Sequence, residues 1–267
     1  MKPKKFTWQW LVRKLKPRKP PTLQDYVAHC RHEISRQIDI DLGSQVAYGL
    51  FKGLKLLTDG SWSLHDRGPM LLGIYEKEIL DYIEQQPTPF DTLINLGGAD
   101  GYYAVGALVS GRAKKVIVYE LDVNSQDIIR KTAQLNQVED RIDVRGTADS
   151  KTFSDLVPEL GPRTLVLVDI EGAEYDVLTP ASLDLLRKAH VVVEIHLFSD
   201  LHRSAYEEFL AACRKTHKVS FLQTANRDLS IFKEVHHYSD NERWLICSEG
   251  RPHLMSWVVL EPLDSSY

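Results

Sequence analysis

Thr92-Leu93-Ile94-Asn95-Leu96-Gly97-Gly98-Ala99-Asp100-Gly101-Tyr102-Tyr103 is the stretch that decides the fold. Residues 92–96 read as a buried strand, and residues 103–109 resume as an apolar helix after the glycines. A strand that runs through glycines into a helix lets the backbone pass close beneath a bound group, with helix amides facing it. The dinucleotide fingerprint G-x-G-x-x-G would start at Gly97, but its second and third glycines fall on Ala99 and Tyr102. An NAD-dependent oxidoreductase is therefore disfavoured.

Outward from this turn, short apolar runs alternate with helical segments. Strands are expected at 115–119, 141–145, 165–168 and 191–195, with helices at 125–135, 175–188 and 205–215. Continuous apolar strands alternating with helices indicate a parallel sheet covered on both faces. Further strands are expected at 219–223, 244–247 and 256–260, where no helix separates the last two, so a short antiparallel edge closes the sheet. Upstream, residues 22–60 read as largely helical, and residues 70–83 repeat apolar side chains at helical spacing until Pro87 and Pro89. The expected organisation is a basic arm and linker (1–21), a helical region (22–64) and one α/β domain (65–267). That domain is expected to be Rossmann-like, with a mostly parallel seven-stranded sheet.

Ionisable residues gather where the strands end. Glu120 lies 23 residues beyond Gly97 and exits at the same sheet edge, where a carboxylate can accept from both hydroxyls of a ribose. The fourth strand gives Asp169-Ile170-Glu171-Gly172-Ala173-Glu174, three carboxylates within six positions. Such crowding raises a pKa toward the range of a general base, or attracts a divalent cation such as Mg²⁺, and the sequence leaves the metal undecided. Glu171 and Glu174 also read as helix-entry acids. The fifth strand ends Val193-Glu194-Ile195-His196. A Glu inside an apolar strand is costly unless paired. Asp169 is one expected partner, and loop amides are the structural alternative. His196 is the better base, since an unperturbed imidazole titrates near neutrality.

Asn95-x-Gly97-x-Ala99-x-Gly101 resembles the first motif of class I methyltransferases, with Asn95 in place of the usual acid. An Asn there accepts a hydrogen bond from the cofactor's ammonium group but supplies no full charge. Residues 97–103, Tyr119-Glu120-Leu121-Asp122, residues 168–174 and Val193-Glu194-Ile195-His196, in this order and spacing, resemble the FkbM family of methyltransferases. The likeness covers about residues 70–200, and Asp-x-Glu-Gly-Ala-Glu is its most specific part. It implies an S-adenosylmethionine-dependent O-methyltransferase acting on a hydroxyl of a sugar, glycan or secondary metabolite. Cofactor contacts are then expected from Asn95, Gly97, Gly98, Gly101, Tyr102, Glu120 and Leu121. The corner Thr147-Ala148-Asp149 would border adenine, although Asp149 serves equally as a helix cap. Asp169 and His196 are expected at the acceptor side, with Glu194 orienting or coordinating.

Composition narrows the alternatives. The net charge is −4, yet residues 1–19 hold eight of the 33 Lys and Arg and no acid. The rest of the chain carries 25 basic against 37 acidic side chains. An acidic body is a poor nucleic-acid binder. The Asp169-Ile170-Glu171-Gly172 run also lacks the Asn/Asp-Pro-Pro-aromatic pattern of base amino-methylating enzymes, and no cysteine sits there to serve as a nucleophile. In the arm, Trp8, Leu11, Val12 and Leu15 share a helical face among basic residues. This fits a peripheral contact with an anionic membrane or partner protein, or a solvated tail. A non-catalytic scaffold docked through that arm is the alternative of a different class. Cys30, Cys213 and Cys247 are odd in number and far apart, which suits buried thiols in a reducing cytoplasm. The pair His236-His237 reads as surface loop rather than a metal site.

Overall fold

The structure is a computed structural model, and it describes residues 22–58, 64–197, 200–251 and 255–263. The basic arm and linker expected at 1–21 lie outside the described residues. The described residues begin with α1 (Leu23–Leu42), α2 (Arg67–Leu71) and α3 (Lys77–Gln85). Next come β1 (Phe90–Leu96), α4 (Tyr102–Val109), β2 (Ala113–Tyr119), α5 (Val123–Leu135) and β3 (Ile142–Arg145). After α6 (Thr152–Asp155) the chain continues through β4 (Thr164–Val168), α7 (Glu174–Val177), α8 (Pro180–Leu186) and β5 (His190–Glu194). It ends with α9 (Asp200–Thr216), β6 (His217–Gln223), α10 (Asp240–Cys247) and β7 (Ser256–Pro262).

The seven strands form one sheet in the order β3-β2-β1-β4-β5-β7-β6. Pairs among β1 to β5 are parallel, and β7 runs antiparallel to both β5 and β6. This is a Rossmann-like α/β fold with a mostly parallel seven-stranded sheet. Alternation along the strands feeds two cores. Leu93, Leu165, Leu167, Val192, Trp257 and Val259 join one, which Ile34, Ile38, Phe51 and Leu54 of the N-terminal region complete. Ile94, Leu96, Val166, Val168, Val191 and Val193 join the other, covered by Phe153, Leu183, Leu186 and Phe209. The order reverses between β1 and β4, and ligands of such sheets bind outside the strand carboxyl ends at that point.

Four expected elements differ. Residues 244–247 are helical, not a strand: Ser239 and Glu242 form a capping box, and only Ile246 of the last turns is buried. A four-residue apolar run has too little periodicity to separate the two forms. Of the segment expected to be largely helical (22–60), the described residues 22–58 hold one helix that stops at Gly43 in the left-handed region, followed by turns and a single Gln45–Lys55 bridge. The helical spacing of 70–83 is split between α2 and α3. The helix expected at 175–188 is broken at Thr179-Pro180, where Thr179 caps α8 and Pro180 occupies its first turn. Cys213 is buried and all three cysteines are free thiols. His236 lies in an exposed turn with Nε2 against the Ser230 carbonyl at 2.8 Å. Among the described residues no helix is long and apolar enough to cross a membrane.

Candidate functional site

A cavity of about 620 Å³ opens at the reversal point, within the size range of small-molecule pockets. Gly97 and Ala99 form its floor, Glu120 and Leu121 one wall, Thr147 and Ala148 a corner, and Asp169 to Glu171 the opposite wall. Gly97 sits at φ +88°, and a Cβ there would lie 1.7 Å from the Asp169 carbonyl oxygen. Both the backbone conformation and the close approach of the β1 and β4 exits therefore require glycine. The Gly97 and Gly98 amides bond the Tyr119 carbonyl, tying the loop to the end of β2. A Cβ on Gly98 would strike Val118 and Ile129, so its smallness serves the packing beneath the loop.

Glu120 is locked in place. Its Oε2 accepts from the Ala99 amide and its Oε1 from the Asp122 amide, each at 2.8 Å. A carboxylate has about four acceptor sites, so two remain for a ligand. Beside it, Leu121 leaves 74 % of its surface exposed, an apolar face at the cavity wall.

The structure gathers Gly97, Glu120, Leu121, Thr147, Ala148 and Asp169 around this cavity and places five other expected cofactor residues elsewhere. Asn95 is buried, and its Nδ2 donates to the Gly97 carbonyl at 3.1 Å, bracing the turn. Gly98 and Gly101 lie beneath the floor. Tyr102, expected at the cofactor, packs its ring against Phe51 and Tyr75 in the core, because the first turn of α4 faces the N-terminal region. Asp149 is exposed and accepts from the Lys151 amide at 2.8 Å in the turn before α6, whose N-cap position is Lys151, with no side-chain cap bond.

Behind the wall formed by Asp169 and Glu171, more carboxylates crowd around one buried imidazole. His196 is buried, and its Nδ1 meets Glu174 Oε1 at 2.9 Å. Its Nε2 faces Glu171 Oε2 at 3.5 Å and Asp169 Oδ1 at 3.9 Å. Burial alone would lower the His196 pKa, but the hydrogen bond and charge of Glu174, with Glu194 and Glu171 nearby, leave it raised. Burial opposes the Glu174 charge too. There the His196 bond and the Gly172 amide prevail, and its pKa is lowered. Asp169 exposes part of its side chain to the cleft while Oδ1 is buried. Burial first, then Glu194 and Glu76, push its carboxyl well above the usual range.

Sequence reasoning missed the residues that complete this wall. Glu76 is buried at the start of α3, where its carboxylate accepts from Tyr103 Oη at 2.7 Å and from Arg251. Burial and the Glu194 carboxylate push its pKa up to about 7, against the pull of Arg251 and Tyr103. Arg251 also binds Glu194, stacks over Trp257 at 5.1 Å and donates to Glu249 at 2.8 Å. The partner of Glu194 is thus chiefly Arg251, 57 residues on, in addition to Asp169. Glu174, which reads as a helix-entry acid, is fully buried and orients His196. A backbone signal marks the same place: of five non-glycine residues at positive φ among those described, Glu76, Ala99 and Glu171 border this site. Side chains of this kind pay strain in the left-handed region.

No protein-family model matches the chain, and no curated protein matches its sequence. Among solved structures, the chain is similar to an O-methyltransferase of Bacillus cereus in complex with SAH, at 12% identity. That match covers 95% of this chain and 96% of the other, with a TM-score of 0.46. It is also similar to the tRNA methyltransferase TrmK of B. subtilis at 13% identity, covering 70% and 66% of the two chains with a TM-score of 0.46. Similarity this distant says nothing about acceptor or chemistry.

Proposed function

We propose that the protein is an S-adenosylmethionine-dependent methyltransferase that methylates a hydroxyl. The supporting observation is the cavity itself: a glycine floor, a fixed carboxylate on one wall, and Asp169 and Glu171 on the other with His196 behind them. The residues suit the cofactor. Glu120 has two acceptor sites left for ribose hydroxyls, Leu121 offers an apolar face to a purine, and a Cβ at Gly97 would close the floor.

When bound, S-adenosylmethionine supplies a methyl group already activated by its sulfonium. The protein's task is then to align an acceptor oxygen and draw off its proton. Asp169 and His196 stand on the acceptor side, where Glu174 fixes the ring through Nδ1 and directs Nε2 toward Asp169 and Glu171. Glu194, held by Arg251, orients Asp169. Sugars, glycans or secondary metabolites as acceptors follow from the FkbM resemblance of Asp169-Ile170-Glu171-Gly172-Ala173-Glu174 and its companion motifs. The acidic body disfavours nucleic acid.

Thermal unfolding with and without S-adenosylmethionine, with NADH as control, tests the proposal. Ligand at about a hundred times its dissociation constant stabilises by roughly 2.7 kcal/mol. The expected result is an upward shift with S-adenosylmethionine alone, lost in Gly97→Val. No shift at saturating cofactor would overturn the proposal in favour of a non-catalytic scaffold.

A further inference from the structure

Asp169, Glu171 and His196 each bring a ligand-type atom within 4.8 Å of the others. The separations from Nε2, 3.5 Å to Glu171 and 3.9 Å to Asp169, are too long for hydrogen bonds. Two ligands at about 2.1 Å from a common ion stand roughly 3.0–3.4 Å apart, so small movements would close the set. Two further observations favour a cation at this place. Asp169 Oδ1 is buried with no hydrogen-bond partner among the described residues. Glu174, wholly buried, holds the imidazole through Nδ1 while its own Oε1 takes the Gly172 amide at 3.0 Å. A carboxylate behind a histidine is how proteins fix a metal-binding imidazole.

A second trio, Glu76, Asp169 and Glu194, is also close enough to bind an ion. Arg251 already bridges Glu76 and Glu194, so that side of Asp169 has its positive charge. On the side toward Glu171 and His196, no lysine or arginine of the described residues forms an ion pair with Asp169 or Glu171.

Resting on the methyltransferase proposal, we propose that Asp169, Glu171 and Nε2 of His196 bind one divalent transition-metal ion, with Glu174 positioning the ring. An imidazole with two carboxylates suits Mn²⁺, Fe²⁺ or Zn²⁺, whereas Mg²⁺ favours an all-oxygen shell and keeps its waters. Positions left open on the ion would take the acceptor hydroxyl. Its O–H bond breaks with the electron pair kept on oxygen, and the proton passes to water. The oxygen pair then forms the O–CH3 bond as the C–S bond breaks onto sulfur. Asp169 and His196 thus act on the proton through the ion.

The test uses the full chain stripped with a chelator and titrated with Mn²⁺ followed by electron paramagnetic resonance, and with Zn²⁺ and Mg²⁺ by calorimetry. One site per chain is expected, with Mg²⁺ binding weakest. His196→Gln and Glu171→Gln should abolish it, and Glu174→Gln should weaken it about 10- to 100-fold. Glu171 is exposed, so its variant keeps the test readable if the His196 variant fails to fold. A His236→Ala/His237→Ala double variant should bind as the parent does. Absence of binding, or binding that survives Glu171→Gln, would overturn the proposal. The cofactor-induced shift is measured on the same metal-free protein. Metal binding without that shift would sink the methyltransferase proposal alone, and the shift without metal binding would sink only the metal.

Discussion

At the amino end of the sheet His190 opens β5 and His217 opens β6, and at the carboxyl end His196 follows β5. His217 and His196 are equally hidden, at 1% and 5% exposure, yet their partners differ in kind. Nε2 of His217 meets the Leu186 carbonyl at 3.1 Å and Nδ1 meets the Thr216 hydroxyl at 2.8 Å. A carbonyl only accepts, so Nε2 carries the hydrogen, and Nδ1 of the neutral ring shares the Thr216 hydroxyl hydrogen with the Cys213 carbonyl. Burial is the largest influence on His217 and its pKa is lowered. At His196 the Nδ1 partner is a carboxylate, which fixes the hydrogen on Nδ1 and turns Nε2 toward two further acids. Burial does not separate these two histidines; the charge of their neighbours does.

The sharpest way to break this contrast is to remove each ring in turn. With an acceptor in hand, His196→Ala should lower turnover about 10²- to 10⁴-fold, the usual worth of a positioned acid–base group. The cofactor-induced thermal shift should persist. His217→Gln should leave turnover within a few-fold of the parent. Equal losses of kcat in the two variants would erase the distinction between the ends.

Carboxylates extend the contrast. Glu120 at the carboxyl end is fixed by two amides beside the cavity, whereas Glu159 near the amino end pairs with Lys115 at the surface. Loss of a charged hydrogen bond is worth about 1.5–3 kcal/mol. Glu120→Gln should therefore raise the S-adenosylmethionine Kd roughly 10- to 100-fold by calorimetry. Glu159→Gln should leave Kd unchanged and cost under about 1 kcal/mol of stability, as exposed pairs do. A Kd unmoved by Glu120→Gln would show that the amides beside it, not the carboxylate, form that wall.

This division also explains what could be read from the chain. The parallel core was legible because β1, β4 and β5 are continuous apolar runs with helices between them, and Gly97, Glu120 and Asp169 follow their strands directly. Residues 244–247 were not, since Trp-Leu-Ile-Cys carries no period and the deciding signal is the Ser239–Glu242 capping box. Glu76 and Arg251 were equally hidden: they meet across 175 positions, and neither neighbours a motif. Local spacing shows what leaves one strand, but not which distant side chain neutralises it. Tyr102 failed for a different reason, as a helix's first turn can face ligand or core, and here Phe51 claims the ring.

Stability should separate the ends in the opposite sense. His217→Gln removes the ring that serves the Leu186 carbonyl and the Thr216 hydroxyl, and should cost about 1–3 kcal/mol in urea unfolding. No larger loss than that of a substitution at the half-buried Glu159, Glu159→Gln, would mean the amino end tolerates an unsatisfied carbonyl.

The smallest effect is a slope with pH. Burial lowers the pKa of His217 in the folded state, with His190 and Arg187 pushing the same way and the Leu186 and Ala189 backbone opposing. His190, bonded to Tyr82 Oη at 2.8 Å, is lowered by burial as well, against Glu261. The unfolded chain takes up these protons near pH 6.5 while the folded chain still refuses them. Stability contributed by the neutral rings is thus complete above that pH and is lost as pH falls from 6.5 toward the lower folded values. Each ring contributes at most about 1.4 kcal/mol per pH unit. Glu76 titrates in the same range with the opposite sign, so the difference between parent and His217→Gln is the quantity to measure. Urea unfolding from pH 7.5 to 5 should show the parent losing stability faster than the variant below 6.5, and both changing alike above it. Parallel curves throughout would mean that His217 takes up its proton as readily inside the fold as outside it, and that burial among carbonyls does not keep the amino end neutral.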